Sequence, residues 1–503
     1  MSRLRKLGSE TAIYGVSSIL GRAVNFLLFP FYTQVLSPEE YGPVTVVYAA
    51  FVFLNILYQY GMESAYLKFA SATDANRPRV FSSAMWSLMG TAALFSTALW
   101  VFKGQAAFVI GLSGDHELLL GFAAAILFLD TASVVPFAEL RLSNRPIYFA
   151  VVRFSSVLVN VSANLLLILG AGMGVEGILL ANVASSAVSF VLLFPVVRQN
   201  ITRDLDRGLW KQMLRFGLPF LPGGLGYAIS ERVNIFFLSR LPAETVVDLY
   251  GASMPPETLA TIQGGDAAAA SEYVLGAFGI LKLAVLAALG VQMFRYAWQP
   301  FFLNHAKDED APQLFGRIFL ILTAALFGVV LGVSFFAAEL VAIPLPGGRT
   351  LIEPTYWVGL SILPPALLGY AFQGWYYHFS AGAYIQKKTV YFVQSTLAGS
   401  VVALAVNFLA VPRFGMLGAA WATAAAYATM AVCLLVLIQR HYPVPYAWGR
   451  VLTLVGLACL ALFAWTSNAG LRVWWWELLM LTVYSLAAVA TLRSSLRGVR
   501  DTS

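Results

Sequence analysis

The segment RPIYFAVVRFSSVLVNVSANLLLILG (residues 145–170) returns later in the chain as KTVYFVQSTLAGSVVALAVNFLAVPRFG (residues 388–415). The copies match at a constant offset of 243, which pairs Arg145 with Lys388, Tyr148 with Tyr391, Phe149 with Phe392, and Asn164 with Asn407. GVEG (174–177) and GMLG (415–418) follow at an offset of 241. An internal repeat within apolar sequence predicts a membrane protein built from two similar halves.

The composition excludes an ordinary soluble protein. Of the 503 residues, 59% are hydrophobic and 11% are charged, whereas a soluble chain carries roughly a quarter charged residues. Apolar runs long enough to span a bilayer, about 20 residues each, follow one another along the sequence. These runs are continuous and do not alternate with polar residues, which argues against a transmembrane β-barrel.

The apolar runs predict the number of spans and the fold class. The candidate spans cover 12–36, 43–66, 80–102, 118–140, 147–170, 174–197, 213–239, 272–303, 314–341, 355–380, 389–411, 415–438, 449–466 and 473–492. We predict an all-α, polytopic membrane protein with about 14 transmembrane helices, in which two pseudo-symmetric six-helix lobes surround a central cavity. The expected domains are an N-lobe (1–203), a C-lobe (204–441) with an outer-loop insertion (242–271), and a C-terminal helix pair with a cytoplasmic tail (442–503).

The basic residues predict the orientation of the chain. The net charge is +7, and 22 of the 32 Lys and Arg residues fall in the termini and in loops on one side of the predicted membrane. Since basic loops stay on the cytoplasmic side, both termini are expected in the cytoplasm. The positive charge is therefore a topology signal, and a nucleic-acid partner is not expected.

Arginines inside the predicted spans are candidates for contact with an anion. Arg22, Arg232 and Arg295 lie within spans 1, 7 and 8, where a charge is costly unless it faces protein or water. Guanidinium binds phosphate in a bidentate way, so these residues suggest a cavity for a phosphorylated cargo, with Asn25 and Asn234 available for sugar hydroxyls. The alternatives are structural ion pairs for the arginines and hydrogen bonds between helices for the asparagines. Lys282 lies toward a span end and is set aside.

Carboxylates inside the spans are candidates for ion coupling. Glu63, Asp130 and Glu231 could carry H⁺ or Na⁺, because a buried carboxylate readily changes its protonation state; the alternative is a role as partner to a nearby Arg. Glu231 and Arg232 are adjacent, so they point about 100° apart on a helix and should need different partners. No metal site and no other cofactor is expected.

Span 7 begins with residues that disfavour a regular helix. The segment PFLPGGLGYAISERVNIFFLSR (219–240) carries Pro219, Pro222, Gly223 and Gly224 before its charged pair. A bend is tolerated in a spanning helix when neighbours satisfy the freed backbone groups. We predict a hinge at these four residues; the alternative is a static kink followed by a buried ion pair.

Several segments resemble the polysaccharide-export flippases, the Wzx-type oligosaccharide-lipid flippases of the multidrug/oligosaccharidyl-lipid/polysaccharide exporter superfamily. The likeness lies in LRKLGSETAIYGVSSILGRAVNFLLFPFYTQVLSPEEYG (4–42), LRFGLPFLPGGLGYAISERVNIFFLS (214–239), FRYAWQPFFLNHA (294–306) and NFLAVPRFGMLGAAWATAAAY (407–427). Two departures stand out. Span 7 has Glu-Arg where many relatives have Asp-Arg, and the Ala-, Gly- and Pro-rich stretch 242–271 replaces a short turn. For that stretch we expect a mobile loop, with a lid or docking site as the alternative.

The resemblance implies a function. It implies translocation of an undecaprenyl-pyrophosphate-linked oligosaccharide from the inner to the outer leaflet of the bacterial cytoplasmic (inner) membrane, with membrane lipid and a polysaccharide polymerase or co-polymerase as partners. Arg22, Arg232 and Arg295 would correspond to the cationic cavity of the family. The alternatives are a lipid II flippase, which also has fourteen spans, a cation-coupled drug exporter, and more remotely a membrane glycosyltransferase or polymerase. We expect no enzymatic activity, because the acids of the outer insertion lack a paired catalytic arrangement.

Overall fold

The computed structural model describes residues 27–72, 76–203 and 206–497, and the chain there is predominantly helical. After a helical stretch at 27–33, the first part contains α1 (Pro38–Gln59), α2 (Met62–Ala70), α3 (Arg77–Val101), α4 (Lys103–Ile110), α5 (Glu117–Leu142), α6 (Pro146–Leu165) and α7 (Val175–Asn200). A π-helical turn at Leu166–Gly170 extends α6.

The chain from residue 206 onward begins with a short helix and ends with a helix pair. Its helices are α8 (Arg207–Gly217), α9 (Phe220–Leu238), α10 (Ala243–Tyr250), α11 (Pro256–Gln263), α12 (Ala267–Ala277), α13 (Val285–His305), α14 (Ala311–Val341), α15 (Leu363–Ile385), α16 (Val390–Gln439), α17 (Trp448–Ser467) and α18 (Trp474–Arg497). The 3₁₀ segments Phe278–Ala284 and Pro354–Ile362 lead into α13 and α15. Two-residue strands, β1 (Pro344–Leu345) and β2 (Arg349–Thr350), pair antiparallel.

The predicted all-α membrane fold is confirmed. Each predicted span from the second to the fourteenth coincides with a helix or a broken helix, and ten helical segments of the described chain are long and apolar enough to cross a membrane. Spans 11 and 12 both lie within α16, which is interrupted by a non-helical backbone at Gly415. Most of span 1 lies outside the described residues.

Span 7 is broken rather than continuous. We predicted one segment at 213–239, but α8 ends at Gly217 and α9 starts at Phe220. Pro219 lies in the turn between them. A proline has no backbone N–H to donate to the preceding turn, which agrees with an interruption at this position, although Leu218 itself keeps helical backbone.

The helix starts follow local sequence rules, and α1 is a clear example. Ser37 caps it and Glu40 completes a capping box, with the Ser37 N–H donating to the Glu40 carboxylate at 2.8 Å. Pro38 occupies the first turn, where a missing N–H has no cost. The motif SPEEYG therefore fixes where this spanning helix begins.

The described chain packs into two compact units. Unit 1 comprises the chain up to Ala228 together with Leu238–Val247 and Pro255–Gly276, and in it α5 packs against α3 and α7. Unit 2 comprises Ile229–Phe237, Asp248–Met254 and the chain from Ala277 onward. In unit 2, α15 packs against α13, α14 and α16, and the C-terminal pair α17 and α18 packs against α14.

The insertion 242–271, for which we expected a mobile loop, contains short helices, and its mobility stays a prediction. It contains α10 and α11, and α12 begins within it at Ala267. Its alanines favour helix, and Pro256 stands in the first turn of α11, where proline is favoured. In unit 2, the Tyr250 hydroxyl accepts a hydrogen bond from the Met416 N–H at 2.7 Å.

Candidate functional site

The polar residues of α9 line a cavity within unit 2. Glu231, Arg232 and Asn234 contribute to a small cavity of about 20 Å³. The other lining residues come from the 3₁₀ segment before α13, from α15 and from α16, and they are Phe278, Leu281, Ala366, Tyr370, Ala420, Thr423 and Tyr427. The cavity thus combines an apolar wall with a few polar groups.

The two charged residues of α9, Glu231 and Arg232, contact each other. One guanidinium nitrogen of Arg232 lies 3.4 Å from a carboxylate oxygen of Glu231, and the two side chains are 35% and 22% exposed. We expected separate partners for adjacent residues that point about 100° apart. The two side chains nevertheless contact each other, because the long Arg232 side chain reaches back to its neighbour.

Asn234 has a structural contact inside the cavity. Its amide donates to the Thr423 hydroxyl at 3.2 Å, and its carbonyl oxygen accepts from the Ile235 N–H at 2.9 Å. The residue is buried. These contacts join α9 to α16, so the alternative of a hydrogen bond between helices has direct support. Contact with a sugar hydroxyl stays a prediction.

Lys282 is a residue that the sequence reasoning set aside. It lies on the 3₁₀ segment Phe278–Ala284, and Arg232 is the charged group whose field acts on it. Its neighbour Leu281 lines the cavity, whereas Lys282 itself does not. Its position within a long apolar run was the only sequence signal.

Of the other predicted cargo-binding residues, the structure describes only Arg295. Arg295 is on α13, exposed, with its guanidinium 4.7 Å from the centre of the Tyr377 ring and a nitrogen 3.4 Å from the Tyr377 hydroxyl. It does not line the cavity of Glu231 and Arg232. Arg22 and Asn25 lie outside the described residues.

Two of the predicted coupling carboxylates lie in unit 1, each with a partner. Glu63 accepts a charged hydrogen bond from Arg141. Asp130 accepts from the Ser186 hydroxyl at 2.7 Å, and Arg153 is its nearby cation. Both environments suit the alternative of a structural partner, and neither carboxylate belongs to the cavity that contains Glu231.

The four predicted hinge residues lie at the start of α9. Pro219 is in the turn before the helix, whereas Pro222, Gly223 and Gly224 are in its first turns. A side chain at Gly224 would place its Cβ 3.1 Å from Ile56 in unit 1. The position is compatible with a flexible helix start, and motion there stays a prediction.

A bundle of bilayer-length apolar helices in two units, one with a cation-lined cavity, defines a multi-pass membrane transporter. The chain belongs to the family described as polysaccharide biosynthesis protein, whose family model matches residues 7–266. That match covers more than half of the chain. No curated protein matches it.

Solved structures share the fold. MurJ, a lipid II flippase in an inward closed conformation, superposes with a TM-score of 0.64 at 13% identity over 97% of this chain and 99% of its own. An inward-facing multidrug resistance MATE family transporter of the MOP superfamily gives 0.60 at 15% identity, over 84% and 94%. A MOP superfamily transporter from Pyrococcus furiosus, with a binding pocket of reverse polarity, gives 0.51 at 14% identity, over 85% and 93%. At these low identities, the superpositions show that the fold is shared.

Proposed function

We propose that the protein is a flippase for an undecaprenyl-pyrophosphate-linked oligosaccharide, which it moves from the inner to the outer leaflet of the bacterial cytoplasmic membrane by alternating access. The observation that carries the proposal is the guanidinium of Arg232 in the wall of the unit 2 cavity. Membership of a polysaccharide biosynthesis family supports a sugar-bearing cargo.

The guanidinium of Arg232 is the feature of the cavity that argues for an anionic headgroup. A pyrophosphate offers several oxygens in the geometry that guanidinium and ammonium groups bind. Tyr370 and Tyr427 supply aromatic surface and hydroxyl groups nearby. A cationic drug would instead meet the guanidinium of Arg232, and Glu231, the only carboxylate among the described lining residues, is already paired with it. The drug exporter is therefore the weaker candidate.

A lipid II flippase is the second candidate. MurJ matches 97% of this chain, including the C-terminal helix pair, whereas the MATE transporter covers 84%. Lipid II also carries a pyrophosphate between lipid and sugar, so the cavity chemistry does not separate the two cargoes. The distinction lies in the sugar, which a transport experiment must vary.

Translocation is proposed to be coupled to an ion, H⁺ or Na⁺. Glu231 is the candidate carboxylate beside Arg232; Asp130 and Glu63 are candidates in unit 1. Coupling is tested in vesicles by imposing a pH gradient or a Na⁺ gradient separately. An unchanged flipping rate under both gradients would contradict it.

The proposed cargo is tested by reconstitution. Proteoliposomes would be loaded with fluorescent undecaprenyl-pyrophosphate carrying either a polysaccharide repeat unit or the lipid II sugar-peptide. We expect faster outward movement of the repeat-unit lipid than of lipid II. Preference for lipid II would replace the first candidate by the second, and movement of neither lipid would contradict both.

A further inference from the structure

α8 is an amphipathic helix of unit 1, and its basic face points away from the hydrophobic core of that unit. Arg207, Lys211 and Arg215 recur every four residues and are all exposed. Residues at this spacing share one face of a helix, with successive side chains about 6 Å apart along its axis. The opposite face carries Leu209 and Met213, which pack into the hydrophobic core of unit 1.

Several contacts fix the rotation of α8 about its own axis. The Trp210 indole donates to the Ser87 hydroxyl at 2.8 Å, and Met213 is fully buried. Gly217, at the C-terminal end of α8, packs against the backbone that precedes α2. A Cβ added there would lie 2.9 Å from the Tyr60 carbonyl oxygen. The basic face therefore cannot rotate inward without breaking these contacts.

More basic residues surround this face. They lie on the neighbouring ends of α2, α3 and α7, are exposed, and are Lys68, Arg77, Arg79 and Arg203. The carboxylate of Asp206 is already engaged, because it accepts from the N–H groups of Gly208 and Leu209 and lies 4.0 Å from Arg79. The patch thus carries a large excess of positive charge.

The patch lies where spanning helices end. α3 begins at Arg77 and α7 ends at Asn200, and both are apolar enough to cross a membrane. Trp86, partly exposed on α3, donates its indole N–H to the Thr202 carbonyl, which is the behaviour of an interfacial tryptophan. The basic side chains are therefore held at the depth of lipid headgroups.

We propose that the face formed by Arg207, Lys211 and Arg215 binds the headgroups of anionic phospholipids in the adjacent leaflet. Rigid placement of several cations at headgroup depth matches an array of lipid phosphates, and each basic residue near such a surface strengthens binding. The proposal concerns bulk membrane lipid and does not depend on the cargo of the cavity.

The test compares binding of phosphatidylglycerol and phosphatidylcholine of equal chain length to the purified protein by native mass spectrometry. The variant is R207Q/K211Q/R215Q, and the matched control is K387Q/K388Q/R440Q, which removes three exposed basic residues from unit 2. We expect the wild type and the control to prefer phosphatidylglycerol. The variant should lose on the order of a hundredfold in affinity at low salt, since each charge contributes about fivefold.

Two further arms separate charge from structure. R207K/R215K keeps the charge and should keep the binding, whereas each single Gln variant should lose about fivefold; these serve even when the triple variant folds poorly. Unchanged affinity in the triple variant, or an equal loss in the control, would overturn the proposal. So would tight binding of a soluble polyphosphate without any preference for phosphatidylglycerol, since this would identify an aqueous partner.

Discussion

Gly415→Ala tests the contact between Tyr250 and α16 within unit 2. Gly415 has a φ of 53° and a ψ of −126°, a region that only glycine adopts without strain. A Cβ at this position would lie 2.1 Å from the Tyr250 hydroxyl oxygen. The substitution must therefore strain the backbone and displace Tyr250 from the Met416 N–H.

The expected loss combines two effects. Backbone strain of this kind costs about 1–3 kcal/mol, and the lost hydrogen bond adds about 1 kcal/mol. Gly415→Ala should thus lower the free energy of unfolding by about 2–4 kcal/mol. In a Tyr250→Phe background the hydrogen bond is already absent, so the same glycine change should cost about 1 kcal/mol less.

The assay is equilibrium unfolding by SDS titration from mild detergent, followed by tryptophan fluorescence. Gly456→Ala is a suitable control, because nothing lies within 4 Å of an added Cβ there and alanine favours helix. A Gly415→Ala protein as stable as the wild type would refute the reasoning. Strict additivity with Tyr250→Phe would refute the proposed contact between the two residues.

The hydrogen bond between Tyr250 and Met416 should also respond to alkaline pH. Burial is the main cause that raises the pKa of the Tyr250 phenol, against the opposing effect of the Met416 hydrogen bond. A raised folded pKa means that the contribution is fully present below the unfolded pKa of about 10 and is lost as pH rises through the folded pKa. Stability through this residue should therefore be constant from pH 6 to about 9.

Two further predictions concern stability in each unit. Asn164→Ala removes the acceptor of the buried Tyr32 hydroxyl, 2.8 Å away, and should cost about 1–3 kcal/mol; Asn407→Ala should cost less, because the side-chain oxygen of Asn407 has no partner among the described residues. Comparable losses for both asparagines in SDS unfolding would contradict this. Trp465→Phe removes the indole donor, 2.7 Å from the buried Glu477 carboxylate, and should cost about 1–3 kcal/mol while leaving the flipping rate unchanged. A fall in flipping without a fall in stability would contradict that expectation.

Sequence reasoning succeeded where the signal was local or periodic. Apolar runs of bilayer length and the repeat around Asn164 and Asn407 predicted the helical two-lobe fold. Pro219 correctly indicated irregular backbone near the start of span 7, although the complete break into α8 and α9 was not predicted. The short helices of the insertion were not predicted, since its Ala, Gly and Pro content suits a loop as well as short helices.

The candidate site depends on contacts between distant residues, which composition and spacing do not encode. Glu63 and Arg141 are 78 positions apart, and no sequence pattern paired them. We set Lys282 aside because it lies toward a span end. In the structure it lies on a 3₁₀ segment, where the charge of Arg232 acts on it. Arg295 looked equivalent to Arg232 in sequence, and it lies against Tyr377 instead.

The most direct test of the cationic cavity measures outward movement of a fluorescent undecaprenyl-pyrophosphate oligosaccharide by Arg232→Gln and by Arg413→Gln in proteoliposomes. Arg413 is an exposed arginine of unit 2 whose guanidinium contacts the Leu409 carbonyl, and it does not line the cavity. Loss of charge-assisted contacts worth about 1.5–3 kcal/mol predicts roughly a 10- to 150-fold fall in flipping efficiency for Arg232→Gln. Arg413→Gln should match the wild type. Equal flipping by wild type and Arg232→Gln would contradict a headgroup contact in this cavity.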